Sequence, residues 1–438
     1  MSDIEYLDDN QAGQIIEDLK NGVPPMDYVQ YFTVGREIWI DGINYYLQKY
    51  IKKGGSTVKF VNGNYGDGKT HFMSLIRKYG FDENYAVSFV NLDRIRPNKF
   101  EEFYAHIISN IAVQEKQKDC GIKGVFDLWY KTHSSKSREE LSEEIEKIRN
   151  VDAMNEQFKN AVISYLKGLA DIKPLDWDEK SYLIQWLEGT KISKKLLKNF
   201  GIFLHVDKSN SRNMLKSLVA FLHHIGYSGL IILIDEIESI MTESRGATRD
   251  GAYENIRQII DNTDHCSYML FVGAITPASV DNANENHASK NLVSYDALWS
   301  RIEPVIESER LNKRATIIDL VRTPLNKDNF FEIALKIRDI HAKAFDWDPQ
   351  NQITNDFLKL LSEKVHGGSY AYAIGLSPLR VMIKTTIDYL EAAESDDKYI
   401  PTIDKIEQEV IMAAKSLEKH DEGEREHKKR ELKEKIDS

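Results

Sequence analysis

The segment Gly63-Asn-Tyr-Gly-Asp-Gly68-Lys69-Thr70 fits the pattern G-x-x-x-x-G-K-[ST] at every position, and it restricts the fold more than any other part of the chain. A β-rich run, Thr57 to Asn62, precedes it. An amphipathic helix is predicted from near Lys69 to about Tyr79, and a second strand from Tyr85 to Leu92. Strand, glycine turn, helix and strand make the start of a βαβ unit and of a parallel sheet. The residue types follow from phosphate chemistry. Glycines let the loop fold back so that its amides point at phosphate oxygens. The helix N-terminus adds a positive dipole end. Lys69 reaches the β- and γ-phosphates, and the Thr70 hydroxyl holds Mg²⁺. A plain surface glycine turn would not need a strand before it and a helix after it. The predicted nucleotide contacts are Gly63, Asn64, Tyr65, Gly66, Asp67, Gly68, Lys69, Thr70 and His71.

A second signal is Leu230-Ile-Ile-Leu-Ile-Asp235-Glu236, an apolar strand ending in two adjacent carboxylates. At the end of a buried parallel strand, Asp235 would face the phosphate site and hold the Mg²⁺ water shell. Glu236 would polarise an attacking water, as general base or as orienting group. A solvated acidic turn is the bland alternative, and the phosphate loop upstream weighs against it. Thr276 follows another apolar run, Tyr268 to Ile275, where it can orient water beside a γ-phosphate or simply end a strand before Pro277. Arg301, in Leu298-Trp-Ser-Arg-Ile, and Arg380, in Ser377-Pro-Leu-Arg, can each bring a guanidinium to the γ-phosphate. A surface ion pair is the competing role for any single arginine.

Composition narrows the class. The 438 residues are 42% hydrophobic and 29% charged, which excludes collagen-like and wholly disordered chains. The net charge of -11 excludes a generally basic nucleic-acid surface, but not a local patch. Two cysteines, Cys120 and Cys266, make neither a disulfide framework nor a four-cysteine zinc site. No run is apolar enough for a membrane helix, and the first residues lack signal-peptide features. Together these predict a soluble cytoplasmic protein with no membrane partner. Residues from about Pro97 to Tyr227 read as almost entirely helical, Val305 to Leu311 as a fifth strand, and the chain from about Asn329 as helical again. The tail beyond about Glu418 mixes both charges and reads as a solvated helix or as disordered.

With these residues assembled, the sequence resembles an ASCE-type P-loop ATPase of the AAA+ kind. Within that group it is similar to the ATP-binding proteins of BREX-type phage-defence systems, and more distantly to origin-recognition and STAND-type ATPases. The resemblance covers roughly residues 10–415. It includes Asn21-Gly-Val-Pro-Pro25, Thr33-Val-Gly-Arg-Glu37, the phosphate loop through Phe72, the Asp235-Glu236 strand and Ser377-Pro-Leu-Arg380. It implies an α/β P-loop fold, a parallel sheet flanked by helices, with a long helical insertion and a C-terminal helical lid. The implied boundaries are an N-terminal arm (1–30), a first core part (31–96), the insertion (97–228), a second core part (229–325), the lid (326–416) and the charged tail (417–438). It also implies ATP and Mg²⁺ as cofactors. Gly35 and Arg36 would sit near the adenine or the domain hinge. Thr276 would be the first sensor, Arg301 an arginine finger acting on a neighbouring subunit, and Arg380 the second sensor. One departure is that Leu379 separates Arg380 from Pro378, where the usual form has Arg directly after Pro.

Three functions use a phosphate loop of this kind. The first is an oligomeric ATPase that remodels DNA or protein together with other defence-system proteins. The second is a slow nucleotide-gated switch or scaffold that recruits partners. The third, a small-molecule kinase, suits neither the length nor the two-arginine layout. Glu236 favours the first. Other features carry less. His223 and His224 are neighbours at i, i+1 and do not share a helix face. Cys266 has no readable base nearby. Lys191, Lys194, Lys195 and Lys198 suit a solvated helix face better than a DNA contact. No guanine-reading element is present, so adenine is expected.

Overall fold

The computed structural model describes residues 3–92, 95–115, 117, 120–243, 245–262, 266–281, 290–303, 311–368 and 377–417. Among the described residues six strands form one sheet: β1 (Ser56–Asn62), β2 (Ala86–Asn91), β3 (Ile111–Ala112), β4 (Leu230–Asp235), β5 (Met269–Ile275) and β6 (Ile317–Asp319). Their order is β3-β2-β4-β5-β1-β6. The pairs β2–β4, β4–β5 and β1–β5 are parallel, and β2–β3 is antiparallel. Every residue of β4 and β5 is buried, as uninterrupted apolar runs require when helices cover both faces of a sheet. The register pairs Asn62 with Ile275 and Asn91 with Asp235, so the parallel strands end at one level.

The helices are α1 (Asp9–Lys20), α2 (Glu37–Tyr45), α3 (Lys69–Asp82), α4 (Phe100–Ser109), α5 (Ile122–Thr132), α6 (Arg138–Glu146), α7 (Glu156–Leu169), α8 (Trp177–Leu187), α9 (Lys194–Leu197), α10 (Ser211–His224), α11 (Gly246–Asn262), α12 (Asp296–Ile302), α13 (Lys327–Phe345), α14 (Asn355–Gly367) and α15 (Pro378–Ser395). Local chemistry sets many of their starts. Ser137 with Glu140 and Asp176 with Glu179 form capping boxes at α6 and α8. Asn155 and Thr354 cap α7 and α14. Pro378 opens α15, where a missing N–H costs nothing.

The chain divides into two compact units. One holds 38–62 and 76–318; the other holds 1–37, 63–75 and 319–438. In the first, strands and the helices between β2 and β4 share one hydrophobic core. It includes Phe60, Val90 and Phe271 from the sheet and Phe126, Phe158, Trp186 and Phe221 from the helices. In the second, α1, α13, α14 and α15 pack on one another. Ala12, Ile15, Ile16 and Leu19 form the buried stripe of α1, at the spacing of one helix face.

The strands expected at Thr57 to Asn62, Tyr85 to Leu92, Leu230 to Ile234 and Tyr268 to Ile275 are all present within one or two residues. The largely helical stretch after Pro97 also contains the two-residue β3. Of the strand expected at Val305 to Leu311, residues 305–310 lie outside the described residues, as does the tail from 418; β6 is found at Ile317–Asp319.

Candidate nucleotide site

The phosphate loop begins directly after Asn62, the last residue of β1, and ends in α3. Gly66 and Gly68 have φ of +84° and +90°, the left-handed region where a side chain is strained. The loop is braced from inside. The Asp67 carboxylate accepts from the Asn64 backbone N–H at 2.7 Å and from its side-chain amide at 3.0 Å. Lys69 Nζ donates to the carbonyls of Gly63 at 3.0 Å and Asn64 at 3.3 Å, and lies 4.9 Å from the Tyr65 ring centre. The ammonium is thus held across the loop, where an anion can take over from weaker carbonyl partners.

Other parts of the same unit close round the loop. A Cβ on Gly66 would come 2.5 Å from Ser377 Cβ and 3.2 Å from Arg380 Cδ. Arg380 Nη2 in turn lies 2.8 Å from where a Cβ of Gly22 would stand. The structure therefore brings Arg380 to the loop despite the inserted Leu379. Arg36, only 6% exposed, donates from Nη1 to Thr323 O at 2.7 Å and from Nη2 to Asp67 O at 3.1 Å. Burial lowers its pKa. Gly35, at φ +70°, lies tight against Leu325 and Asn329. His71 Nε2 is 2.8 Å from Thr33 Oγ1, whose own hydrogen goes to Val29 O at 2.7 Å. Thr33 is therefore the acceptor, and His71 carries its proton on Nε2. Burial, with the Arg36 charge beside it, pushes the His71 pKa down to about 4.

In the sheet-bearing unit, Asp235 closes β4 and is buried. Glu236 follows at φ +62°, ψ +38°, a left-handed conformation that costs a non-glycine residue about 1–2 kcal/mol. Its N–H donates to Asp235 Oδ1 at 3.0 Å. Strain of this kind persists where the surroundings over-determine it, and functional sites are where it clusters. Gly273 on β5 helps: a Cβ there would overlap Ile237 Cδ1, the residue next to Glu236. Thr276 directly follows β5, the strand between β1 and β4, and its Oγ1 lies 3.3 Å from Ser279 Oγ. Arg301, in α12, forms a two-pronged pair with Asp261 of α11 and also donates to Ala297 O.

Several partners in these contacts were not readable from the sequence. Thr323 acts through its carbonyl, which no residue type advertises. Asp261 carries a charge like many others, and only the α11–α12 packing singles it out. Ser377 sits inside the quoted Ser-Pro-Leu-Arg segment, but its approach to Gly66 needs the fold.

The donor types fit ATP with Mg²⁺. The glycine cradle admits no side chain at Gly66, and Lys69 lies across its mouth. Thr70 and Asp235 are hard oxygen donors of the kind Mg²⁺ takes in small number beside phosphates. Among the described residues no cluster of three or more His, Cys, Asp or Glu could hold a metal alone.

No curated protein and no solved structure matches the chain. The family of BREX system ATP-binding proteins BrxC/D does match, from residue 7 to residue 410, and the span takes in the loop, its braces and the Asp235-Glu236 strand end. This chain belongs to that family of phage-defence ATP-binding proteins.

Proposed function

We propose that the protein hydrolyses ATP with Mg²⁺ as an AAA+-like ATPase, and that as an oligomer it couples turnover to remodelling DNA or protein in its defence system. Bound Mg²⁺ would offset phosphate charge, held by the Thr70 hydroxyl and the Asp235 carboxylate. Lys69 and the loop amides hold the β- and γ-phosphates. Glu236 takes or orients the proton of the attacking water. Thr276 positions that water, and Arg380, on a helical lid of residues 326–416, offsets charge developing on the γ-phosphate. Arg301 serves a neighbouring subunit's nucleotide, exchanging Asp261 for phosphate. The protein works in the cytoplasm, where ATP and the other defence proteins are found.

The observation that supports hydrolysis over binding alone is Glu236. An acid directly after the metal-side Asp235 is held in a strained backbone conformation, with its N–H tied to that neighbour. The test is ATP turnover by wild type and Glu236→Gln, at several protein concentrations, with and without duplex DNA. Hydrolysis should rise with concentration and with DNA, while Glu236→Gln should bind ATP normally and turn over at least about a hundredfold more slowly. Wild-type turnover by Glu236→Gln would remove the general-base assignment. Tight binding with negligible turnover under every condition would make the protein a nucleotide-gated switch.

A further inference from the structure

Arg36 holds two backbone carbonyls, Asp67 O and Thr323 O, with its two Nη atoms. It is buried, and among the described residues it has no carboxylate within ion-pair distance. A buried guanidinium spent on carbonyls is costly, so the orientation it enforces matters more than the charge it carries.

The Asp67 carbonyl shares a peptide plane with the Gly68 N–H. In a planar trans peptide the C=O and N–H point in opposite directions. Gly68 has φ +90°, only His71 Cβ within 4 Å of where its own Cβ would stand, and no side chain to lock that plane. The Asp67–Gly68 peptide is therefore a joint of the loop that its glycine leaves free to turn. Arg36 removes that freedom by holding the carbonyl on one side, which aims the Gly68 N–H to the other. The Asp67 carboxylate, bonded to Asn64, limits the same residue from its side-chain end. We infer that Arg36 is a positioning residue, which sets the Asp67–Gly68 peptide so that the Gly68 N–H is presented to a nucleotide phosphate. The second carbonyl gives the brace a further role. Thr323 lies between β6 and α13, so displacing that segment releases the loop peptide as well. Lysine carries its donors on one nitrogen, so it cannot reach the two carbonyls from two separate nitrogens as the planar guanidinium does.

The inference rests on the loop being the phosphate site, and the experiment separates the two. ATP affinity is measured by calorimetry with Mg²⁺ on the full chain for wild type, Arg36→Met and Arg36→Lys. Thermal midpoints without nucleotide are recorded alongside. The Gly68 amide is followed by labelling Asp carbonyl carbon and Gly nitrogen, which selects the Asp–Gly steps 41–42, 67–68 and 250–251. Asp41→Asn and Asp250→Asn assign the 67–68 signal by elimination. In wild type this signal should shift when ATP is added. In Arg36→Met it should already be displaced without nucleotide, and ATP affinity should fall about tenfold or more, the loss of one amide bond to a charged oxygen. Arg36→Lys should recover part of both. ATP affinity in Arg36→Met within twofold of wild type, or an unmoved 67–68 signal, overturns the inference. If Arg36→Met does not fold, Arg36→Lys decides by the same criteria, with wild-type affinity and an unmoved signal against it. Wild type that binds no ATP overturns the phosphate reading of the loop, and this inference with it.

Discussion

Single atoms decide the conformation at both ends of the candidate chemistry. Gly273 lies inside β5, where a bare residue ordinarily weakens a strand. Here its missing Cβ is the room that Ile237 fills, and Ile237 follows the left-handed Glu236. Gly273→Ala crowds Ile237 Cδ1, next to Glu236, and more weakly the Phe60 ring of β1, while no residue of the phosphate loop itself touches the added Cβ. ATP turnover should drop at least tenfold with ATP affinity changed by less than threefold, read by steady-state hydrolysis and calorimetry. Equal loss of binding and turnover would mean that the substitution disturbs the sheet at large rather than Glu236. Lysine also shows how environment sets behaviour. Lys59, buried on β1, donates to the carbonyls of Arg314 and Ala315 at 2.8 and 2.9 Å and lies 4.0 Å from the Tyr46 ring centre. Burial brings its pKa down to about 8.

Between residues and the whole lie the elements, and their legibility varied with the physics behind them. Strands β4 and β5 were readable because burial on both faces demands continuous apolar residues, and β1 and β2 because β-branched and aromatic residues flank the glycine loop and its helix. The short β3 and β6, two and three residues long, leave no periodic trace and depend on neighbours for their pairing. The phosphate loop was readable because its chemistry restricts residue type at each step. The brace by Arg36 and the pairing of Arg301 with Asp261 were not, because they join positions far apart through groups of common type. Helix α2 offers a test at this scale. Glycine inside a helix normally costs about 1 kcal/mol relative to alanine. At Gly42, however, an added Cβ would overlap the Lys313 carbonyl oxygen. Overpacking against backbone costs roughly 1–3 kcal/mol, so it exceeds the propensity gain. Gly42→Ala should lower stability by about 1–2 kcal/mol in urea unfolding, whereas Gly13→Ala in α1, with nothing within 4 Å, should not lower it.

Acid sensitivity is a property of the whole chain, and two imidazoles, one half-buried and one buried, set its direction. His71 is pushed down to about 4 by burial and by Arg36. His341 is also pushed down to about 4, by burial first, with Glu391 opposing and Lys20 adding to the shift. His341 Nδ1 accepts from Trp347 Nε1 at 3.0 Å, and its ring is only 1% exposed. Both groups stay neutral in the folded state at pH values where an unfolded histidine, near 6.5, already binds a proton. Between pH 6.5 and about 4 the unfolded chain therefore holds more protons, and stability falls as pH falls. The contribution is complete above pH 6.5 and exhausted below about 4. For His341 alone the linkage amounts to about 3 kcal/mol, an upper figure because unfolded chains are not fully solvated. The carboxylate Glu254, drawn to about 2 by Arg257, loses its contribution only below its unfolded value of 4.5, so it adds little over most of this window. Urea midpoints from pH 7.5 to 4.5 should decline in wild type, and His341→Gln should flatten that decline by a substantial part. A decline of equal slope in His341→Gln would assign the acid sensitivity to carboxylates instead. ATP should oppose the loss at each pH by mass action, since a ligand bound only to the folded state adds about 2.7 kcal/mol at a hundred times its Kd. In Lys69→Ala that protection should disappear while the pH slope remains, which separates the nucleotide contribution from the imidazole one within a single set of titrations.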